Sequence, residues 1–212
     1  MIIAIDGTTA SGKGTIAKRL SGHYGLPHMD TGRLYRAVGV AALKHGVPLD
    51  AAGPLADLAR TLDLTDFIEH ELRSAEAGKA ASLVAAIASV RQALFELQRA
   101  FATQAGGALL DGRDIGTVIA PDADVKLWVD ADVTQRGVRR WKELVGQGEA
   151  IALETVIEQL KIRDARDQGR ADAPAAMAGD AILIDTTDLT IDAAVEKALA
   201  AVEAALARGK TA

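Results

Sequence analysis

Residues 2–24 read IIAIDGTTASGKGTIAKRLSGHY, and this stretch decides the fold. Ile2 to Ile5 is a short apolar run that ends at Asp6-Gly7, the pattern of a strand buried on both faces in a parallel sheet. Gly7, Thr8, Thr9, Ala10, Ser11, Gly12, Lys13, Gly14 and Thr15 then form a phosphate-binding loop with one extra glycine between the lysine and the threonine. A helix is expected from about Lys13 to Tyr24. Glycines let a backbone wrap closely round a phosphate with its N–H groups turned inward. The following helix start adds unpaired N–H groups and a favourable dipole for an anion. Lys13 supplies charge to the outer phosphates, and the Thr15 hydroxyl is placed to reach a Mg²⁺ that arrives with ATP. This loop alone implies a bound nucleoside triphosphate and leaves the acceptor open.

Working outward, Leu26 to Met29 reads as a second short strand and Thr31 to His45 as a helix, with Thr31 as its N-cap and Gly46-Val47-Pro48 as its stop. Residues 50–79 show helical fragments and no clear strand. Ala80 to Gln104 reads as one helix, because Leu83, Ile87, Val90, Leu94, Leu97 and Phe101 recur at helical spacing. Strands are expected at Ala108 to Leu110, Val125 to Val129 and Ala181 to Ile184. Helices are expected at Asp132 to Leu144, Leu153 to Gln168 and Ile191 to Leu206, with fraying from Arg208 to Ala212. Strands alternating with helices define an α/β fold, a parallel sheet covered by helices on both faces.

Composition narrows the function. The 212 residues suit a single domain, and no apolar run is long enough to span a membrane. MIIAIDG has no basic segment before its apolar run and reads as a core strand rather than a signal peptide. No cysteine is present, which excludes thiol catalysis and zinc–thiolate sites and suits the cytoplasm. A net charge of −5 argues against bulk nucleic-acid binding and means that anionic substrates need local basic clusters.

Three such clusters stand out. Arg36 lies on the helix after Asp30-Thr31-Gly32 and by itself could be a surface residue. Asp111-Gly112-Arg113-Asp114 follows a strand, where open α/β sheets bind ligands, although a charged tetrapeptide there could also be a solvated loop. Arg163, Arg166, Asp167 and Arg170 share one face at helical spacing. That face could be a solvated ladder of ion pairs or a neutralising surface for phosphoryl transfer. His23, His28, His45 and His70 lack metal-ligand spacing and read as structural or solvated.

The chain resembles bacterial cytidylate kinases over nearly its whole length. The resemblance rests on GTTASGKGT at 7–15, MDTGRLYRAV at 29–38, AASLVAAIASVRQAL at 80–94, DGRDIGTVIAPDA at 111–123, RDARDQGRADAP at 163–174 and AILIDTTDLTID at 181–192. It implies transfer of the γ-phosphoryl group of ATP to CMP and dCMP, with residues 7–15 holding ATP. It assigns Arg36, Arg113 and Arg170 to the CMP phosphate, and Ser82, Arg91 and Asp114 to cytosine. Arg163 and Asp167 go to the sugar, with Thr31 and Asp111 beside the acceptor. Lys13, Arg113, Arg163 and Arg170 are the implied catalytic charges. A core of 1–30, 105–145 and 175–212 is implied, with a monophosphate-binding subdomain at about 31–104 and a lid at about 146–174 carrying Arg163, Arg166 and Arg170. The implied enzyme is a cytoplasmic monomer with no permanently bound cofactor, no nucleic-acid partner and no membrane partner. One departure is visible: the small β-rich insert usual in the family, after Leu62-Asp63-Leu64, is reduced here to FIEHELRSAEAGKAAS and reads as helical.

The base assignment is chemically coherent. Asp114 can accept from the cytosine amine, and Arg91 and Ser82 can donate to the ring nitrogen and carbonyl. Uracil would set a carbonyl against the carboxylate, so CMP is expected to be preferred over UMP. Two rivals remain at this point: a kinase for another small acceptor, such as AMP, UMP or a metabolite hydroxyl, and a nucleotide-binding switch without kinase activity.

Overall fold

The first strand, β1 (Ile2–Gly7), runs two residues beyond its apolar stretch and delivers Asp6 and Gly7 to the end of the sheet. The structure is a computed structural model that describes residues 1–209. The remaining strands are β2 (His28–Asp30), β3 (Ala108–Gly112), β4 (Val125–Asp130) and β5 (Ile182–Asp185). Their order is β2-β3-β1-β4-β5, and the β1–β3, β1–β4 and β4–β5 pairs are parallel. This is the expected α/β architecture, a parallel sheet flanked by helices.

The helices are α1 (Lys13–Tyr24), α2 (Thr31–His45), α3 (Ala52–Arg60), α4 (Glu69–Arg73), α5 (Ala75–Val84), α6 (Ala88–Ala102), α7 (Val133–Gly146), α8 (Leu153–Gln168) and α9 (Ile191–Gly209). The chain forms two compact units. One comprises Met1–Met29 with Ala100–Ala212, and the other comprises Asp30–Arg99.

In the first unit, alternate strand residues Ile3, Ile5, Leu109, Val125, Leu127, Val129 and Ile184 point to one face of the sheet. There they pack on Ile16, Ala17 and Leu20 of α1 and Ala194, Ala198 and Val202 of α9, all closed to solvent. Burying a side chain of this size is worth about 1.5–3 kcal/mol. The period-two alternation of the strands and the apolar stripes of α1 and α9 therefore form one core. In the second unit α2 packs against α3, α4 and α5. Gly39 makes room for α5, since a Cβ there would lie 2.7 Å from the Ala80 side chain.

Several strand and helix ends move by one or two residues, and four differences from expectation matter more. Leu26 belongs to the turn closing α1, where Gly25 adopts φ 65° and the Leu26 amide bonds Ser21 O at 3.0 Å, so β2 begins only at His28. Thr31 is the first residue of α2 rather than its cap, and Asp30 takes the cap position. The stretch expected to form one helix from Ala80 to Gln104 is broken. Ala86 and Ile87 close tight turns onto Leu83 O and Val84 O, and α5 and α6 meet at 99°. Helix α9 stays regular through Arg208 to Gly209, which corrects the expected fraying there; residues 210–212 lie outside the described residues. The reduced insert is helical, as expected. Among the described residues no single helix is long and apolar enough to cross a membrane.

Candidate functional site

The phosphate loop leaves β1 at Gly7, and only glycine fits there. Its φ is 150°, and a Cβ would fall 1.9 Å from Val129 O on the neighbouring strand. Gly12 is left-handed at φ 90°, as is Ala10 at φ 62°, and these turns carry the chain into α1. Successive amides bent in this way form a concavity for an anion. A cavity of about 490 Å³ adjoins the loop, lined in part by Ser11, Gly12, Thr15, Arg139, Thr186 and Thr190. Thr15 is exposed in the first turn of α1. Arg139 donates to Thr186 O at 2.6 Å and to Thr186 Oγ1 at 3.0 Å, while Thr186 Oγ1 donates to Ser11 O at 2.8 Å. The strand-end loop after β5 is thereby tied to the phosphate loop.

Lys13 donates to Asp111 Oδ2 at 3.2 Å, and His28 Nε2 lies 2.7 Å from Asp111 Oδ1. Burial alone would raise the Asp111 carboxyl, but Lys13 and His28 outweigh it and hold the group below the ordinary carboxylate range.

A second charged group centres on Asp167. Its carboxylate accepts from Arg170 Nη2 at 2.5 Å and Arg113 Nε at 3.3 Å, with Arg163 Nε at 3.8 Å. Burial opposes its charge, yet Arg113, then Arg170 and Arg163, keep its pKa lowered. Arg113 also donates to Thr9 Oγ1 at 2.7 Å, which links this cluster to the phosphate loop. Arg136 is buried on α7 and donates to Thr9 O at 3.2 Å and to Asp164 at 2.7 Å. Arg170 lies beyond the end of α8 at Gln168, so it is not on the helical face that the spacing suggested. Asp114 is buried directly before a π-type turn, Ile115–Ile119.

In the Asp30–Arg99 unit, Arg36 donates to Asp30 Oδ2 at 2.6 Å. The Arg91 guanidinium lies 5.8 Å from the centre of the Tyr35 ring. Thr31 and Ser82 are both buried. Buried donors without a hydrogen-bond partner include Nε of Arg36 and, in the first unit, Nε of Arg170.

Sequence reasoning missed His28, Arg136 and Arg139. His28 lay in a segment with no metal-ligand spacing, and its value comes from Asp111, 83 positions away. Arg136 and Arg139 sit on a helix read only for its periodicity. Their signal was a pair of arginines three apart on α7, next to Gly137, where a Cβ would meet Ile157 Cγ1 of α8 at 2.3 Å.

Loop, sheet and paired arginines together define a P-loop phosphotransferase fold. A family model for cytidylate kinase matches residues 3–204. The cytidylate kinase of Methylocella silvestris is 55% identical over 97% of this chain and 95% of its own. That of Xanthobacter autotrophicus is 55% identical over 96% of this chain and 98% of its own. The crystal structure of an uncharacterised protein from Eubacterium ventriosum shares the fold, with a TM-score of 0.53 at 16% identity, covering 96% of this chain and 98% of that one. The chain belongs to the cytidylate kinase family.

Proposed function

We propose that this protein transfers the γ-phosphoryl group of ATP directly to CMP and dCMP, giving ADP with CDP or dCDP. The observation that carries this reading is the Asp167 cluster. Three arginines are gathered on one buried carboxylate, and one of them is bonded to the phosphate loop. A nucleotide-binding switch has no use for arginines assembled in this way.

A phosphate oxygen of CMP, already ionised at neutral pH, attacks the γ-phosphorus in line. The bond to the β-phosphate oxygen breaks, and ADP leaves with the negative charge. Lys13, Arg113, Arg163 and Arg170 neutralise charge on the moving group, which is the main catalytic task in phosphoryl transfer. Arg36 joins Arg113 and Arg170 in holding the acceptor phosphate, and its buried Nε has a donor to spare. Ser82, Arg91 and Asp114 read the cytosine, and Arg163 and Asp167 the sugar. Thr31 and Asp111 stand beside the acceptor. The stretch 146–174 acts as the lid that excludes water, and the Asp30–Arg99 unit carries the monophosphate subdomain.

Mg²⁺ fits as an ion carried in by ATP. Among the described residues no group of three carboxylates or histidines could cage a metal, whereas the exposed Thr15 hydroxyl offers a hard oxygen ligand. When bound, the ion offsets phosphate charge. The enzyme works as a cytoplasmic monomer on these small substrates.

The test is a coupled ADP-release assay across CMP, dCMP, UMP and AMP. Turnover with CMP and dCMP well above UMP and AMP is expected. Strong turnover with AMP and little with CMP would make it a kinase for a different acceptor.

A further inference from the structure

Asp6 is a buried acid with no role in the transfer described above. It lies next to last in β1, in register with Gly112 of β3 and Trp128 of β4. Its Oδ1 accepts from the Ile115 amide at 2.8 Å, and its Oδ2 accepts from the Gly116 amide at 2.7 Å. These donors are the two residues directly after Arg113 and Asp114. On the upstream side the turn is fixed by β3. Downstream, the amides of Val118 and Ile119 bond back to Asp114 O at 2.9 and 3.2 Å. The π-type turn lies close against the sheet, since a Cβ on Gly116 would come within 3.1 Å of Lys126 Cδ and 3.5 Å of Asp6 Oδ2.

We propose that Asp6 is a positioning residue for the acceptor nucleotide, its two carboxylate oxygens pinning Ile115 and Gly116 so that Arg113 and Asp114 keep their direction. This rests on the assignment of Arg113 and Asp114 to the CMP side. Charge is needed for the clamp: an ionised carboxylate accepts both amides, whereas a protonated one keeps a hydrogen on one oxygen and leaves one buried N–H poorly satisfied. The charged groups acting on Asp6 are Asp114, which disfavours its ionisation, and Lys13, which favours it. Lys126, on the adjacent strand, is turned to Pro121 O at 2.7 Å and Asp180 at 2.8 Å. Burial, the leading cause, pushes the Asp6 carboxyl up to about 7, so the clamp loosens on mild acidification.

Asp6 also adjoins Gly7, so a merely structural role would disturb ATP and CMP binding alike. Steady-state kinetics of D6N test this. The KM for CMP should rise about tenfold, the size of one lost buried hydrogen bond, with the KM for ATP changed by less than about twofold. The ratio of the variant's KM for CMP to that of the wild type should fall towards one as pH drops below about 7, because the wild-type carboxyl then takes up a proton; taking the ratio cancels titration of CMP itself. G116A, which displaces the same two amides while leaving Asp6 intact, should show the same split between CMP and ATP. Constants for ATP and CMP that rise together, or that both stay put, would overturn the proposal. So would loss of the fold in both variants, which would mean that the two bonds hold the sheet rather than the turn. A wild-type protein inactive with CMP but active with another monophosphate would instead refute the acceptor assignment, and the same split would then be sought with that acceptor.

Discussion

The two compact units hold their candidate site charges differently. In the unit of Met1–Met29 and Ala100–Ala212, Asp111 and Asp167 are 2% and 4% exposed at the side chain; Asp111 faces Lys13 and His28, Asp167 faces three arginines, and the partly buried Asp164 pairs with Arg136. In the Asp30–Arg99 unit, Arg36 and Asp30 are 25% and 40% exposed, and the Arg33–Glu69, Arg73–Glu69 and Lys44–Glu71 pairs also face water. Breaking a buried pair costs about 3–5 kcal/mol, whereas an exposed pair is worth about 0–1 kcal/mol. For the roles proposed above, a substitution at these residues of the first unit is therefore expected to cost both function and stability, and one at Arg36 chiefly function.

Lys13→Met gives the largest expected effect on catalysis. Turnover should fall by roughly 100-fold or more, measured as ADP release at saturating CMP, because a transition-state charge is lost. Retained turnover would break the first half of the comparison. Asp167→Asn leaves Arg113 and Arg170 with an uncompensated buried charge and should cost about 3 kcal/mol in urea unfolding. The pH dependence follows from the lowered Asp167 pKa. The unfolded state binds the proton first, so the stabilisation is present above the ordinary carboxylate range and is lost as pH falls through the folded value. Acid titration of unfolding free energy should therefore be steeper in the wild type than in the variant.

Arg36→Ala sharpens the other half. The KM for CMP should rise about tenfold with the loss of one charged hydrogen bond, while the unfolding free energy changes by less than about 1 kcal/mol. A large loss of stability would erase the contrast. Asp114→Asn should give the smallest effect. The CMP/UMP ratio of kcat/KM should drop about fivefold, since an amide can donate to the uracil carbonyl, and ATP binding should change little. An unchanged ratio would refute the base assignment.

Much of this was legible in the sequence where backbone chemistry punctuates it. Gly7, Gly12, Gly25 and Gly46 mark turns, α1 and α8 span the residues expected of them, and α2 stops before Gly46 as expected, although its cap is Asp30 rather than Thr31. The break between Val84 and Ala88 carried no such mark: Ala85, Ala86 and Ile87 are compatible with helix, yet the chain turns there through bonds of Ala86 and Ile87 to Leu83 O and Val84 O. Candidate site residues within motifs could be named from local context. Asp6, His28 and Arg136 could not, because their partners lie 109, 83 and 28 positions away. Asp6 read only as the end of an apolar run, although its carboxylate accepts from two amides of a turn in another segment.

The bond between Lys13 and Asp111 has a kinetic consequence. A lysine already seated on a carboxylate would not meet an incoming triphosphate empty-handed, so under the function proposed above the nucleotide has to win an exchange of counterions. On the role proposed for Lys13, the same carboxylate would compete for the lysine once the outer phosphate has gone. The expected signature is an ATP affinity that rises when Asp111 is neutralised.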